Sequence, residues 1–203
     1  MGLDKAAGNS YLGACWRLAA GVFVVAIALQ LGGASVRETL AYTRDGIAGG
    51  DLWRLVTGHF VHLGWTHMCL NLAGLTLVVW LVGGVFSWVR WLLVCGLTIV
   101  IIDLGFWFLY PNLAWYVGLS GVLHGLLVGG LFRRVVERDK ESMILLGFVL
   151  AKLAWEQLSG GPLPGSEATS GGNVIVNAHL YGAVGGAVAG ALLWRSARST
   201  RSI

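Results

Sequence analysis

Four polar side chains stand in stretches that are otherwise apolar: His67, Asn71, Ser120 and His179. A serine hydroxyl is a weak nucleophile until a base takes its proton, and histidine is the usual base. Ser120 lies in Gly118-Leu119-Ser120-Gly121-Val122-Leu123-His124-Gly125. At the start of a helix it would have unpaired backbone N–H groups and the positive end of the helix dipole beside it, which suits a developing oxyanion. His67 and Asn71 are four residues apart and share one helix face, so both could donate to the same oxyanion. Taken singly, each residue has a plainer reading: a helix N-cap serine, a packed histidine, a polar clamp between helices.

Glycine spacing joins them. Gly121, Gly125 and Gly129 recur every fourth residue, and so do Gly182, Gly186 and Gly190. Each set is a doubled GxxxG stripe, which lets membrane helices pack with their backbones nearly touching. His179 lies one turn before Gly182 on the same face. Facing stripes would bring Ser120 and His179 together at one end of the pair. No acidic residue stands where the sequence alone would place it to orient His179, so a dyad is expected rather than a triad.

These side chains need spans to carry them. Of the 203 residues 56% are hydrophobic and only 12% charged, with mean hydropathy +0.73, and a soluble domain carries about twice that charge fraction. Lipid accounts for the excess. The expected fold is an all-α membrane protein, a single unit over residues 1–203, with six transmembrane helices near residues 14–31, 66–86, 88–110, 120–136, 143–158 and 178–194. Between the first two, Ser35 to Leu63 is too long for a turn and too apolar for a free linker, so it reads as a folded, partly interfacial loop.

The net charge of +4 does not point to nucleic acid, because the basic residues gather in a few short segments. These are the N-terminus (Lys5, Arg17), the turn at Arg90, the run Arg133, Arg134, Arg138 and Lys140, and the C-terminus (Arg195, Arg198, Arg201). With six spans all of them fall on one side, which places both termini in the cytoplasm. His67, Asn71, Ser120 and His179 then share one shallow depth below the other surface. Lys5 and Arg17 before an apolar run also suggest a signal peptide, but the run is too long and more spans follow, so it is expected to stay. Cys15, Cys69 and Cys95 fit neither a metal spacing nor a disulfide framework. No metal or other cofactor is expected. His62, His67 and His179 have no carboxylate or cysteine joining them at a usual zinc spacing.

The ordered set resembles the rhomboid family of intramembrane serine proteases, which have a six-helix core. Trp53-Arg54 is similar to the family's first-loop motif. His62, His67 and Asn71 match its second-helix pattern in spacing. Gly118-Leu119-Ser120-Gly121 matches the nucleophile motif, and Ala178-His179 with Gly182 the base motif. The resemblance implies that His179 takes the Ser120 proton, that Ser120 forms an acyl-enzyme, and that His67, Asn71 and the Ser120 N–H hold the oxyanion.

At the position four after the serine, where many rhomboids carry an aromatic, this chain has His124. That residue, the string Gly-Leu-Ser-Gly-Val-Leu-His-Gly, the compact length and Trp155-Glu156 resemble the rhombosortase subfamily. The resemblance implies a bacterial inner-membrane enzyme, open to the periplasm, whose partners are lipid and exported proteins with a C-terminal sorting tail. Such a tail has a Gly-Gly-rich motif, an apolar helix and a basic end (GlyGly-CTERM). His124 either engages His179 or fills space beside the glycine stripe. Trp155 and Glu156 either touch substrate or are structural, with Lys152 and Glu156 shielding each other at helical spacing. Asp103 is expected to be buried and hydrogen-bonded. The alternatives to a tail-cutting protease are a general rhomboid protease, a non-enzymatic helix-binding protein and a small transporter. Retention of both Ser120 and His179 weighs against the second, and a shallow gathering of polar groups weighs against the third.

Overall fold

A chain surrounded by hydrocarbon must satisfy its backbone internally, and a run of about twenty apolar residues does so only as a helix. The computed structural model describes residues 5–199, with side chains from 8 to 196. Arg201 and the side chains of Lys5 and Arg198 therefore lie outside the described residues. In chain order the elements are α1 (Lys5–Leu31), α2 (Gly33–Leu40), β1 (Tyr42–Thr43), α3 (Arg44–Ala48), α4 (Arg54–Thr57), α5 (Trp65–Val82), α6 (Trp88–Leu104), β2 (Trp115–Tyr116), α7 (Ser120–Val136), α8 (Lys140–Ser159), α9 (Ser166–Ser170) and α10 (Val176–Ser199). The fold is a mostly helical membrane bundle.

Five of these helices are long and apolar enough to cross a bilayer, namely α1, α5, α6, α8 and α10. The sixth expected span, α7, has only 17 residues. It rises about 25 Å, short of a hydrocarbon core of about 30 Å. A helix of this length with its basic C-terminal turn at headgroup level would leave its first residue, Ser120, below the opposite surface. Elsewhere the helix ends fall a few residues from the expected ones, except that α1 begins a good two turns early, at Lys5.

Helix α7 runs through the middle and touches α5, α6, α8 and α10, while α1 packs on α5 and α6. The two glycine stripes face each other. A Cβ at Gly182 would collide with the Gly121 carbonyl, and one at Gly186 with the Gly125 carbonyl. In return, a Cβ at Gly125 would lie 2.8 Å from the Gly182 carbonyl and one at Gly129 3.1 Å from that of Gly186. At Gly182 and Gly186 no residue larger than glycine fits the seam without moving a helix.

Helix α6 ends in a widened turn over Gly105–Leu109. Gly105 lies flat against the Tyr181 ring, and the Arg44 guanidinium gathers the freed carbonyls. It donates to Phe106 O at 2.6 Å and reaches Trp107, Tyr110 and Leu113 O at 3.3–3.4 Å, with Trp107 beneath it at 4.7 Å. Arg54 bonds the Asp51 carboxylate and the carbonyls of Glu38 and Ala41, each at 2.9 Å, and Arg37 bonds Leu63 O at 2.9 Å. The long first loop is thus folded by its arginines, which satisfy backbone carbonyls that have no sheet to join. It leaves Leu52, Trp53 and Val56 exposed at its rim.

One element departs from an all-α reading. β1 pairs antiparallel with β2, Tyr42 opposite Tyr116 and Thr43 opposite Trp115. Two residues a side are too few to give an alternating pattern in sequence, yet they fix the segment that delivers Ser120.

Candidate active site

Ser120 is the first residue of α7, and the segment before it is held from three sides. Gly118 takes φ +127°, a backbone conformation open to glycine, and its N–H donates to Gly58 O at 3.0 Å. The Tyr116 hydroxyl donates to Gly118 O at 2.6 Å and lies against the Ser120 hydroxyl and the Gly121 N–H. Burial pushes the Tyr116 phenol well above its ordinary range, with the nearby Asp103 charge adding to the shift, so it remains a neutral donor. Sequence reasoning missed this residue.

His179 sits in the first turn of α10. Its Nε2 is 3.0 Å from Ser120 Oγ, so the nucleophile and base expected from the sequence meet where the glycine stripes meet. The His179 ring is buried, and the His124 ring stacks on it at 4.3 Å with 19° between planes. His124 is therefore engaged with His179 rather than filling space beside the stripe. Its Nδ1 is 2.8 Å from Ser120 O and its Nε2 is 2.8 Å from Lys152 Nζ.

The sequence offered no acidic residue beside His179, and the structure places one there. Both Glu156 oxygens lie beside His179 Nδ1, at 3.0 and 3.1 Å, and Glu156 is 1% exposed. It stands in the last turn of α8, where that helix reaches the depth at which α7 and α10 begin. Lys152, one turn back, bridges to Glu156 Oε1 at 2.8 Å and approaches His179 Nδ1 at 3.1 Å. The helical Lys152–Glu156 pair forms as its spacing suggested, but it serves a third partner. Trp155, next to Glu156, is half exposed. A cavity of about 140 Å³ opens beside Glu156 between the end of α8 and the start of α10, lined also by Tyr110, Gln157 and Asn177.

His67 and Asn71 are on α5, across from Ser120. The Leu63 N–H donates to His67 Nδ1 at 3.3 Å, so the ring hydrogen sits on Nε2. The Nε2–Cε1 edge fills the space a Gly118 side chain would need, 2.8–3.1 Å from a Cβ built there. Asn71 donates its amide to His67 O at 3.1 Å within its own helix. His67 is thus brought against the Ser120 segment, while the amide of Asn71 is turned back onto α5. His62 packs edge-on to His67 at 5.2 Å. Burial, and then the neighbouring His67, pushes its imidazole down to about 3, so it stays neutral.

Asp103, unexplained by the sequence, pairs with a first-loop residue: its Oδ1 is 3.3 Å from His59 Nε2. His59 in turn lies edge-on to the Tyr116 ring at 5.5 Å. This second polar cluster backs the Ser120 segment. Among the described residues no group of three or more His, Cys, Asp or Glu is arranged to hold a metal ion.

A hydroxyl at a helix N-terminus, a histidine on it and a carboxylate behind the histidine are the parts from which a serine nucleophile can be built. They are set in helices built for a bilayer. A protein of Bacillus subtilis (strain 168) bearing the name "Putative rhomboid protease YdcA" is 27% identical over 150 residues, covering 74% of this chain and 71% of that one. A family model described as the Rhomboid domain matches residues 49–196. That segment is well over half of the chain and holds every residue of the site, so the chain belongs to the rhomboid family.

Proposed function

We propose that this protein is an intramembrane serine endopeptidase in which Ser120 is the nucleophile and His179 the base. The observation that carries this is the 3.0 Å contact between Ser120 Oγ and His179 Nε2 at the facing starts of two membrane helices. His179 Nε2 takes the hydroxyl proton as Ser120 Oγ bonds to a peptide carbonyl carbon. The oxyanion develops beside the Ser120 N–H, which begins α7 without an intrahelical acceptor, and within reach of the His67 Nε2–H. Asn71 joins by turning its amide from the helix carbonyl. The departing amine takes the proton from His179. Water then attacks the acyl carbon with His179 again as base, and Ser120 is released.

The substrate is a protein whose C-terminal tail crosses the membrane, in the manner of a GlyGly-CTERM sorting tail. The string from Gly118 to Gly125, with His124 stacked on His179, supports the rhombosortase reading over a general rhomboid protease. The enzyme acts in a bacterial inner membrane with both termini cytoplasmic and the site open to the periplasm. The basic residues after α7 and at the end of α10, on the side away from Ser120, support that orientation. The test is co-expression with a secreted reporter bearing a GlyGly-CTERM tail in cells lacking their own rhombosortase, with mass spectrometry of the reporter's C-terminus. Cleavage near the Gly-Gly motif by the wild type and not by Ser120→Ala supports the proposal. An intact tail beside folded, membrane-inserted enzyme contradicts the substrate assignment.

A further inference from the structure

The hydrogen positions around His179 have one consistent arrangement. For Nε2 to accept the Ser120 proton, the ring hydrogen must sit on Nδ1, and a buried N–H needs an acceptor. The Glu156 carboxylate, 3.0–3.1 Å away, is that acceptor. Lys152 can only donate. It gives one hydrogen to Glu156 Oε1 at 2.8 Å and one to His124 Nε2 at 2.8 Å. His124 then carries its hydrogen on Nδ1 and donates it to Ser120 O at 2.8 Å. The 3.1 Å approach of Lys152 Nζ to His179 Nδ1 is a contact between two donors, tolerable because the carboxylate lies against both.

We propose, building on the reading of Ser120 and His179 as nucleophile and base, that Glu156 is a positioning residue. Its carboxylate holds His179 with Nε2 free for the Ser120 proton and offsets the charge of the imidazolium that forms, while Lys152, clamped between Glu156 and His124, fixes the carboxylate. The site is then a Ser–His–Glu triad whose third member comes from α8. No proton passes to Glu156. The proton lost by Ser120 rests on His179 Nε2 until the leaving amine takes it. Without the carboxylate, an imidazolium would form beside an unbalanced ammonium, and the ring would be free to take the unproductive tautomer.

The test uses the full-length protein in detergent micelles. It measures kcat and KM on a tail-bearing substrate, the rate at which a fluorophosphonate labels Ser120, and the melting temperature. The variants are Glu156→Gln, Glu156→Asp, Lys152→Met and the double variant Lys152→Met with Glu156→Gln, beside Ser120→Ala and His179→Asn. We expect Glu156→Gln to lower kcat and the labelling rate by about a hundredfold or more, with KM within about threefold, and Glu156→Asp to recover part of the loss. The double variant removes both charges of the pair at nearly constant volume, so it is expected to fold even where the single one does not. It is expected to stay as slow as Glu156→Gln. A double variant with wild-type kcat would mean that the carboxylate only neutralises Lys152, and would overturn the proposal. So would a Glu156→Gln enzyme whose KM rises while kcat and labelling hold. Activity surviving in Ser120→Ala would instead bring down the reading beneath it, and the proposal with it.

Discussion

Helix α10 meets two of its neighbours, α7 and α8, in opposite ways. Against α7 it is held mainly by shape: backbone touches backbone along six glycines, and near the site the Ser120 hydroxyl and the His124 ring reach across to His179. Against α8 it is held near the site by charge, with Lys152 and Glu156 of α8 meeting His179 and Lys152 also bonding His124 of α7. The first contact places the Ser120 hydroxyl and the His179 ring within reach. The second decides which way the ring faces and which nitrogen carries hydrogen. Proximity and orientation are separate requirements of catalysis, and here separate faces of one helix supply them.

Disturbing the shape side should do most damage. In Gly186→Leu the new Cβ runs into the Gly125 carbonyl. Overpacking of this kind costs about 1–3 kcal/mol, and a shift of about 1 Å at the far end can cost about a hundredfold in rate. Activity should fall below detection and the melting temperature should drop, both read on the purified protein. On the charge side, Lys152→Met should lower kcat by about tenfold, the lower end of effects for a group acting through its neighbours, with the fold intact by circular dichroism. His124→Phe keeps a ring over His179 but removes the acceptor for Lys152. The bond to Ser120 O within α7 is lost as well, but only the Lys152 bond, at about 1 kcal/mol, bears on the charge network, so kcat should fall by only about fivefold. Lastly, Arg44→Gln lies on neither face. It frees carbonyls at the end of α6 and should lower the melting temperature by several degrees, of order 1–2 kcal/mol, while the rate per folded molecule stays unchanged.

The same contrast explains what the sequence revealed. Glycine at every fourth position is a pattern, so the α7–α10 seam and the meeting of Ser120 with His179 are legible in the order of residues. The spans are legible too, because lipid demands long apolar runs. Glu156 could not be placed, since α8 is apolar on most sides and gives no amphipathic phase to say which face turns inward. Its i,i+4 partner Lys152 also made it look self-sufficient. One signal was present: an ion pair inside a span is costly, and Glu156 lies near the same end of the bundle as Ser120 and His179. The role of Tyr116 and the pairing of β1 with β2 rest on two-residue strands and on loop packing, which leave no periodicity to detect. The arginines of the first loop read as charges, whereas they act as caps on backbone carbonyls.

Whether His179 activates Ser120 is the central claim, and it can be measured without knowing the substrate. The purified protein in micelles is treated with a fluorophosphonate, and peptide mass spectrometry locates the adduct in the wild type, His179→Asn and Ser120→Ala. The account predicts a single adduct on Ser120, its formation slowed by about a thousandfold or more in His179→Asn and absent in Ser120→Ala. Labelling of Ser120 at an unchanged rate in folded His179→Asn would contradict it.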